Sequence, residues 1–499
     1  MNRRDVLKLC GQLAFTTVLP RVAMGATDQN DPSYLPATEL LTKFRQGILS
    51  PVDVLEAQIR RIESLNEEIN CVTYRHFDEA RAAARESEQR YRAGNPRFLD
   101  GLTVAVKDEY AVKGWVTTMG SLLLKDAPPE VADGPIAERL RAAGAIFHIQ
   151  TTVPEFYSWG TTATRLWGVT RNPWNLKYTP GGSSGGSGAA LAAGFTTLAL
   201  GSDMGGSIRI PSSQCGLYGF KPPFGRIPTS EIAYETDGPM ARTFGDLNLF
   251  AQTMVGPHPD VHSSLNPRLE FPATYDAVAG WKIAIDYGTS LAPIDPAVRA
   301  AMDNAVKHFR ELGAEVQTID IGFQPSDVDA FFSGLFSTAM GAMLTPALAQ
   351  PDKLTPYVKA VLKRVEGKLG PDALATAEED LNKYHKRVQE NVFGKGYKAL
   401  LMPTLATPFI PAEHGLNPEK DTVTIGDKQV QGLGFVFTWP WNLLNRYPVV
   451  SVPVGLGPQN MPIGMQIIAN TFDDLSAFQL AAAHSSASLL YSGQNFPQM

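Results

Sequence analysis

Twice in this chain of 499 residues, a helical stretch closes in a glycine and is followed at once by an apolar run. The two instances are residues 140–147 (LRAAGAIF) and residues 312–316 (LGAEV). A glycine after the last helical turn adopts left-handed backbone without steric cost. A short, wholly apolar run is typical of a strand covered on both faces of its sheet. The pattern predicts an α/β fold with a large mixed, mostly parallel twisted sheet and helices on both faces.

Other segments agree with this fold class. Ser50 followed by Pro51 is typical of a helix start, and the apolar spacing that follows predicts a helix over residues 51–65. A second helix is expected at about 78–93. Further strands are expected at residues 102–106, 197–200, 281–286, 399–402 and 449–454.

Length and composition favour one large domain. No linker-like block and no repeat of fixed period divides the chain, so we expect a single domain over residues 27–499, with a mainly helical region at about 325–395. A net charge of −6 without a basic stripe argues against nucleic acid as a partner. A homodimer is compatible with the sequence.

The first 26 residues resemble an export signal. Arg3 and Arg4 form a twin-arginine pair, an apolar stretch runs from Leu9 to Leu19, and small residues precede position 26. This predicts a signal over residues 1–26, cleaved on export by the twin-arginine route to the periplasm. The alternative is an ordinary basic N-terminus on a cytoplasmic protein. The apolar stretch is short for a membrane span, so we expect no stable membrane insertion after cleavage.

One uncharged stretch, residues 330–351, is rich in phenylalanine and methionine. Its serines, threonine and glycines make it a weak candidate for a membrane span. A buried helix and the lining of an apolar substrate channel are the two remaining interpretations.

A glycine- and serine-rich stretch, TPGGSSGGSGAALAAG, occupies residues 179–194. Such a composition is typical of a flexible linker, but strongly helix-forming residues follow it directly. A phosphate-binding loop would need a lysine after the glycines, and none is there. The five residues from Gly181 to Gly185 match the nucleophile motif GxSxG, but two prolines precede them where that motif needs a buried strand.

Three separate segments together suggest a serine nucleophile with a lysine base. Lys107 ends a predicted strand, Ser183 lies in the first glycine loop, and Ser207 lies in a second glycine-rich turn. No histidine lies beside either loop, and a lysine can act as the base where burial favours its neutral form. Gly205 and Gly206 would let backbone N–H groups approach a developing oxyanion.

The motifs GGSSGGSGAALAAG and LGSDMGGSIRIPSSQCGLYGFKP closely resemble those of the amidase signature family. The stretches VAVKDEY, NPWN, MPTLATP, VVSVPVG and MPIGMQII are similar to its other landmarks, so the resemblance covers about residues 35–485. It implies the family's fold and the hydrolysis of a small-molecule carboxylic amide, with no metal and no cofactor.

The resemblance also implies residue roles. Ser207 is the nucleophile that forms an acyl-enzyme, Ser183 is a proton relay that follows a cis peptide bond, and Lys107 is the base. The implied oxyanion hole is formed by the backbone amides of Met204, Gly205, Gly206 and Ser207. The implied supporting residues are Ser184, Asp203 and Arg209.

Several assignments stay open. Asp108 and Glu109, which follow the lysine, are compatible with surface, structural or catalytic roles. Phe156, Tyr157 and Trp159 predict an aromatic substrate pocket, with plain core packing as the alternative.

Two rival functions exist for such a chain. One is a cytoplasmic subunit, similar to glutamine amidotransferases, that supplies ammonia to a partner; the export signal argues against it. The other is a catalytically idle binding protein on the same fold, which the intact serine and lysine set disfavours. His148 and Arg446 depart from the family's pattern and leave the specificity for the amide open.

Overall fold

The computed structural model describes residues 31–228, 232–335, 340–366, 370–417, 421–488, 490–491, 495–497 and 499. The predicted export signal lies outside the described residues. Within the described part, no helix is both long enough and apolar enough to cross a membrane.

One predicted helix begins at a cap that the sequence provides. The Ser50 side chain accepts hydrogen bonds from the N–H groups of Val52 and Asp53, and the Asp53 carboxylate accepts one from the Ser50 N–H. This capping box starts the predicted helix at Pro51, and the helix continues to Ile69. The α-helices are α1 (Ala37–Arg45), α2 (Pro51–Ile69), α3 (Phe77–Arg92), α4 (Pro135–Ala143), α5 (Gly185–Ala192), α6 (Arg209–Cys215), α7 (Phe244–Met254), α8 (Pro296–Glu311), α9 (Val328–Leu335), α10 (Gly341–Leu344), α11 (Pro356–Val365), α12 (Pro371–Asn391), α13 (Pro440–Leu443) and α14 (Asp474–Ser485).

The described strands are β1 (Val72–Arg75), β2 (Thr103–Lys107), β3 (Ile146–Thr151), β4 (Ala163–Thr164), β5 (Gly168–Val169), β6 (Leu198–Asp203), β7 (Tyr218–Lys221), β8 (Thr236–Ala241), β9 (Lys282–Ile285), β10 (Glu315–Thr318), β11 (Ala399–Pro403), β12 (Thr422–Ile425), β13 (Lys428–Gln431), β14 (Val449–Leu456) and β15 (Pro462–Ala469). Eleven of them form one sheet in the order β1-β3-β2-β6-β8-β7-β14-β15-β11-β9-β10. The pairs β4–β5 and β12–β13 form separate two-stranded sheets.

The α/β class and the large mixed sheet are confirmed, but the expected predominance of parallel pairs is wrong. The described parallel pairs are β2–β3, β2–β6, β9–β10 and β9–β11. The antiparallel pairs are β1–β3, β6–β8, β7–β8, β7–β14, β14–β15 and β11–β15. The short connection over residues 457–461 makes β14–β15 a hairpin, and a hairpin is necessarily antiparallel. Every residue of β15 is buried, so the strand lacks the polar alternation that indicates an antiparallel strand.

The other predicted elements are present at nearly the predicted bounds. Gly144, with φ of 99°, ends α4 immediately before β3. The second instance of the pattern gives α8 followed by β10. The region from about 325 to 395 is mainly helical, as expected, and contains α9 to α12.

Candidate active site

The carboxyl ends of β2 and β6 bring the predicted lysine to the second glycine-rich turn. The two strands are parallel, with Val104 opposite Leu198, so they end at the same edge of the sheet. All residues of β2 are buried, and Lys107, its last residue, has no exposed surface. The apolar strand thus carries an amine into the interior, beside the turn that follows Asp203.

Three oxygen atoms surround the Lys107 amine. Its Nζ lies 2.9 Å from the Ser183 Oγ, 2.7 Å from the Ser202 Oγ and 2.7 Å from the Glu109 Oε2. The ring of Tyr157 covers the same amine, with its centroid 4.8 Å from Nζ. The structure brings Lys107 and Ser183 together as predicted. The contact with Ser202 was missed, because nothing in the sequence relates an ordinary strand serine to the lysine.

The first glycine loop is buried and ordered by close packing. The peptide bond between Gly182 and Ser183 is cis. Ser184 precedes α5, and its N–H donates to the Ser207 backbone carbonyl at 3.3 Å, which joins the two glycine loops. A Cβ at Gly186 would lie 2.4 Å from the backbone nitrogen of Thr152. The glycines therefore permit close contact between α5 and its neighbours, and the linker interpretation is excluded.

A buried ion pair holds the second glycine-rich turn. Asp203 Oδ1 lies 2.7 Å from Arg209 Nη2, and neither side chain is exposed. The Asp203 carboxylate also accepts hydrogen bonds from the N–H groups of Gly206 (2.8 Å) and Ile208 (3.1 Å). Gly206 has φ of 127°, and a Cβ there would lie 2.0 Å from the Thr438 Oγ1. Only glycine fits this position without displacing the turn.

The guanidinium of Arg209 extends this network to distant parts of the chain. It donates to the Gln466 Oε1 at 2.7 Å, to the Asn442 Oδ1 at 2.6 Å and to the Thr438 carbonyl at 2.9 Å. Burial alone would raise the pKa of Asp203, but the charge and hydrogen bonds of Arg209, helped by Asn442, lower it. Sequence reasoning identified Asp203 and Arg209 but missed these three partners, which lie far along the chain.

The four amides of the predicted oxyanion hole have different surroundings. Met204, Gly205 and Ser207 line the cavity described next. The Gly206 N–H donates to the Asp203 carboxylate and so helps to hold the turn. The oxyanion role of these amides stays a prediction.

An apolar cavity opens in front of Ser207. Its lining contains the backbone of the glycine loops and side chains from the helical region 325–395. The described lining residues are Tyr157, Ser158, Trp159, Gly160, Gly182, Met204, Gly205, Ser207, Ile210, Val328, Phe331, Phe332, Met340, Val361, Leu433, Val436 and Trp439. A neighbouring cavity shares Trp159, Phe332 and Trp439 with it and also reaches Arg364.

The three aromatic residues whose roles the sequence left open differ in position. Tyr157 and Trp159 line the cavity, and their contact with a substrate stays a prediction. Phe156, by contrast, is buried in the hydrophobic core, so for this residue core packing is correct. In the described part of the uncharged stretch, residues 330–335 belong to α9, residues 341–344 form α10 and residues 345–349 form a 3-10 helix; Phe331 and Met340 contribute to the cavity wall.

The helical wall is tied to the loop that carries Trp159. The Glu155 carboxylate accepts a hydrogen bond from the Thr355 N–H at 2.6 Å, and the Tyr357 hydroxyl donates to the Ala163 carbonyl at 2.8 Å. The Tyr357 ring also stacks on Trp159, with centroids 5.7 Å apart. These contacts fix the far wall relative to the serines.

His148 and two of the cysteines occupy structural positions. His148 is fully buried, its Nε2 lies 2.8 Å from the Phe195 carbonyl, and burial lowers its pKa to about 4. Cys71 and Cys215 are free and buried. Among the residues that the structure describes, no group of three or more histidine, cysteine or acidic side chains is placed to hold a metal ion.

Comparison with known proteins relates this geometry to a family. The family model described as Amidase matches residues 53–477. The chain is 32% identical to an acylamidase of Rhodococcus erythropolis over 91% of this chain and 96% of the relative. It is 30% identical to a glutamyl-tRNA(Gln) amidotransferase subunit of Syntrophus aciditrophicus over 89% of this chain and 96% of that protein. Among solved structures, a bacterial aryl acylamidase of the amidase signature family superposes with a TM-score of 0.82 at 27% identity, covering 91% of this chain and 96% of that one.

Proposed function

Because the chain belongs to the amidase family and is an amide hydrolase, we propose that it cleaves carboxylic amides bearing an apolar group, through an acyl-enzyme on Ser207. The observation that carries this proposal is the buried Lys107–Ser183 hydrogen bond of 2.9 Å, in a loop joined to the Ser207 turn.

Acylation begins with a proton transfer from Ser207 through Ser183 to Lys107. Ser207 Oγ attacks the amide carbonyl carbon as its proton passes to the Ser183 Oγ, while the Ser183 proton passes to the Lys107 amine. The backbone amides of the second glycine-rich turn stabilise the oxyanion that forms. When the C–N bond breaks, the proton returns from Lys107 through Ser183 to the leaving nitrogen.

Deacylation repeats the sequence with water as the nucleophile. Water loses a proton toward Ser183 and Lys107, attacks the acyl carbonyl, and releases the acid. Ser207 recovers its proton, so the site returns to its starting state.

The preference for an apolar substrate follows from the cavity wall. Phe331, Phe332, Met340 and Trp439 contribute hydrocarbon surface, and burial of such surface stabilises binding by about 25 cal/mol per Å². An aryl or medium-chain acyl amide could bury its apolar part there with its carbonyl at Ser207.

The same wall argues against glutamine as the substrate. Glutamine carries an ammonium and a carboxylate, and burying these groups without charged or strongly polar partners is costly. No lining residue of the cavity in front of Ser207 is charged, among those that the structure describes.

A panel of amides tests the proposal. We expect faster release of amine from anilides and fatty-acyl amides than from acetamide, glutamine or dipeptide amides, together with labelling of Ser207 by a fluorophosphonate. Ser207→Ala is the control for both readouts. Absence of labelling in folded wild-type protein, or a preference for glutamine, would contradict the proposal.

We also propose that the protein acts in the periplasm, on the strength of Arg3, Arg4 and the apolar stretch after them. Cell fractionation of the full chain tests this, with Arg3→Lys/Arg4→Lys as the matched variant. Accumulation of the mature wild-type protein in the cytoplasm would contradict it.

A further inference from the structure

The Lys107 amine contacts a carboxylate as well as the Ser183 hydroxyl. The Glu109 Oε2 lies 2.7 Å from Nζ and also accepts a hydrogen bond of 2.7 Å from the Ser202 hydroxyl. Ser202 in turn accepts a hydrogen bond from the amine at 2.7 Å. The three groups form a closed triangle in which every contact has hydrogen-bond length.

Glu109 also reaches a cavity that shares no described residue with the substrate cavity. This rear cavity has a volume of about 210 Å³ and is lined by Glu109, Tyr110, Ala111, Gly134, Pro135, Ile136, Ala137, Pro228, Glu235 and Asp237. The Glu109 side chain is 14% exposed, whereas that of Lys107 is fully buried. Glu109 therefore stands between the buried amine and the rear cavity.

We propose that Glu109 is a positioning residue, which holds the Lys107 amine toward Ser183 and stabilises the ammonium formed when Ser207 attacks. This proposal rests on the proposed function, since it assigns a role within the same proton relay.

The count of donors and acceptors supports this role. A neutral amine has two N–H bonds and one lone pair. When the two N–H bonds donate to Ser202 and Glu109, the lone pair is left for the proton of Ser183. After that transfer the ammonium has three N–H bonds, which match its three oxygen neighbours. No proton is consumed, because the ammonium returns it to the leaving group.

Electrostatics supports the same role. A carboxylate 2.7 Å from the amine interacts favourably with the positive charge that the amine gains during acylation. A histidine–aspartate pair in serine hydrolases divides the work in the same way, with the acid orienting the base and stabilising its protonated form.

The other titratable groups around Lys107 and Glu109 make contacts elsewhere. Asp108 is buried and bonded to Thr118 and Gln150, and the Tyr157 hydroxyl donates to the Asp108 carbonyl. The remaining groups on the rear side are Tyr110, Glu235 and Asp237, with Tyr110 donating to Asp237 at 2.9 Å. Glu109 is the carboxylate in direct contact with the amine.

Two substitutions of Glu109, which separate the effect of its charge from the effect of its shape, test the proposal. Glu109→Gln keeps an oxygen acceptor at the same place and removes the charge. We expect kcat to fall by roughly tenfold or more with KM unchanged, and the pH profile of kcat/KM to change, since a charge beside the proton relay is removed. Glu109→Asp, which keeps the charge, should keep the pH profile of the wild-type protein.

Chemical rescue provides an independent readout. Glu109→Ala opens space toward the rear cavity, so formate or acetate should restore part of the lost kcat, while chloride at equal ionic strength should not. Glu235→Gln removes a carboxylate from the wall of the same cavity and is the matched control. We expect it to change kcat and the pH profile of kcat/KM less than Glu109→Gln does.

The outcomes distinguish this proposal from the function on which it rests. Hydrolysis that survives Ser207→Ala would overturn the proposed function. Hydrolysis that depends on Ser207, with a pH profile unmoved by Glu109→Gln and no rescue of Glu109→Ala, would overturn only the role of Glu109. A lowered thermal midpoint without a change in the pH profile would also overturn it. If Glu109→Ala does not fold, the isosteric Glu109→Gln variant decides.

Discussion

Asp203 and Arg209 form an ion pair of 2.7 Å with both side chains wholly buried, and this pair holds the turn that presents Ser207. Replacing Arg209 with methionine leaves the carboxylate buried without its counter-ion, so we expect a loss of about 3–5 kcal/mol in the free energy of unfolding. Urea denaturation measures this. Arg299→Met, in the exposed pair with Asp303, is the matched control and should change stability by less than about 1 kcal/mol. Equal effects of the two variants would contradict the prediction.

Removing the amine should separate catalysis from folding. We expect Lys107→Ala to lower amide turnover at neutral pH by at least about 10²-fold, the usual contribution of a general base, while circular dichroism shows a native spectrum. Ser207→Ala gives the reference for complete loss. Turnover at the wild-type rate in folded Lys107→Ala would exclude this lysine as the base.

The turn at Gly206 should tolerate no side chain. Gly206→Ala meets both the positive φ and the overlap with Thr438, so we expect a loss of roughly 1–3 kcal/mol in stability and a strong fall in kcat. Gly114→Ala has a similarly positive φ of 87° but open space around its Cβ, and it isolates the backbone contribution. Thermal unfolding and kcat are the measurements. Similar activities for the two variants would contradict a tight fit at Gly206.

Apolar side chains of the cavity should favour amides that carry an apolar group over small amides. Phe332 lines both the cavity in front of Ser207 and its neighbour. We expect Phe332→Ala to lower kcat/KM for an anilide by roughly 10- to 100-fold, since roughly 1.5–3 kcal/mol accompanies burial of such a side chain, and to leave acetamide turnover unchanged. Phe98→Ala, at a half-exposed phenylalanine of the surface, is the control. Equal losses for both amides would point to a structural defect.

Two buried histidines should make the protein sensitive to mild acid. Burial lowers the pKa of His148 and of His484 to about 4, whereas an unfolded histidine titrates near 6.5. The unfolded state therefore takes up these protons first, and stability present above pH 6.5 is lost as the pH falls toward 4, by up to about 3 kcal/mol for each histidine. Urea unfolding from pH 4.5 to 7 measures the slope. His484→Gln should flatten it, and an unchanged slope would contradict this assignment.

The catalytic candidates could be found from the sequence because each lies in a locally unusual context. A lysine at the end of an apolar strand, serines in two glycine-rich turns, and the resemblance of these motifs to a family together identified Lys107, Ser183 and Ser207. The sequence did not identify the residues that contact Lys107 and Arg209, because their sequence contexts are ordinary. Ser202 is one strand residue among others, and Asn442 follows a tryptophan in a short helix.

What the sequence by itself determined was therefore local: helix caps, apolar strands, the close approach that glycines permit, and the family to which these motifs are similar. The tertiary structure decided which strands pair antiparallel, that Phe156 turns to the core while Tyr157 and Trp159 face the cavity, and that Glu109 contacts the lysine. The physical reason is the separation along the chain of the residues that interact. Caps and glycine turns depend on neighbours within a few residues, whereas the direction of a side chain and the partner of a buried charge depend on segments that only folding brings together.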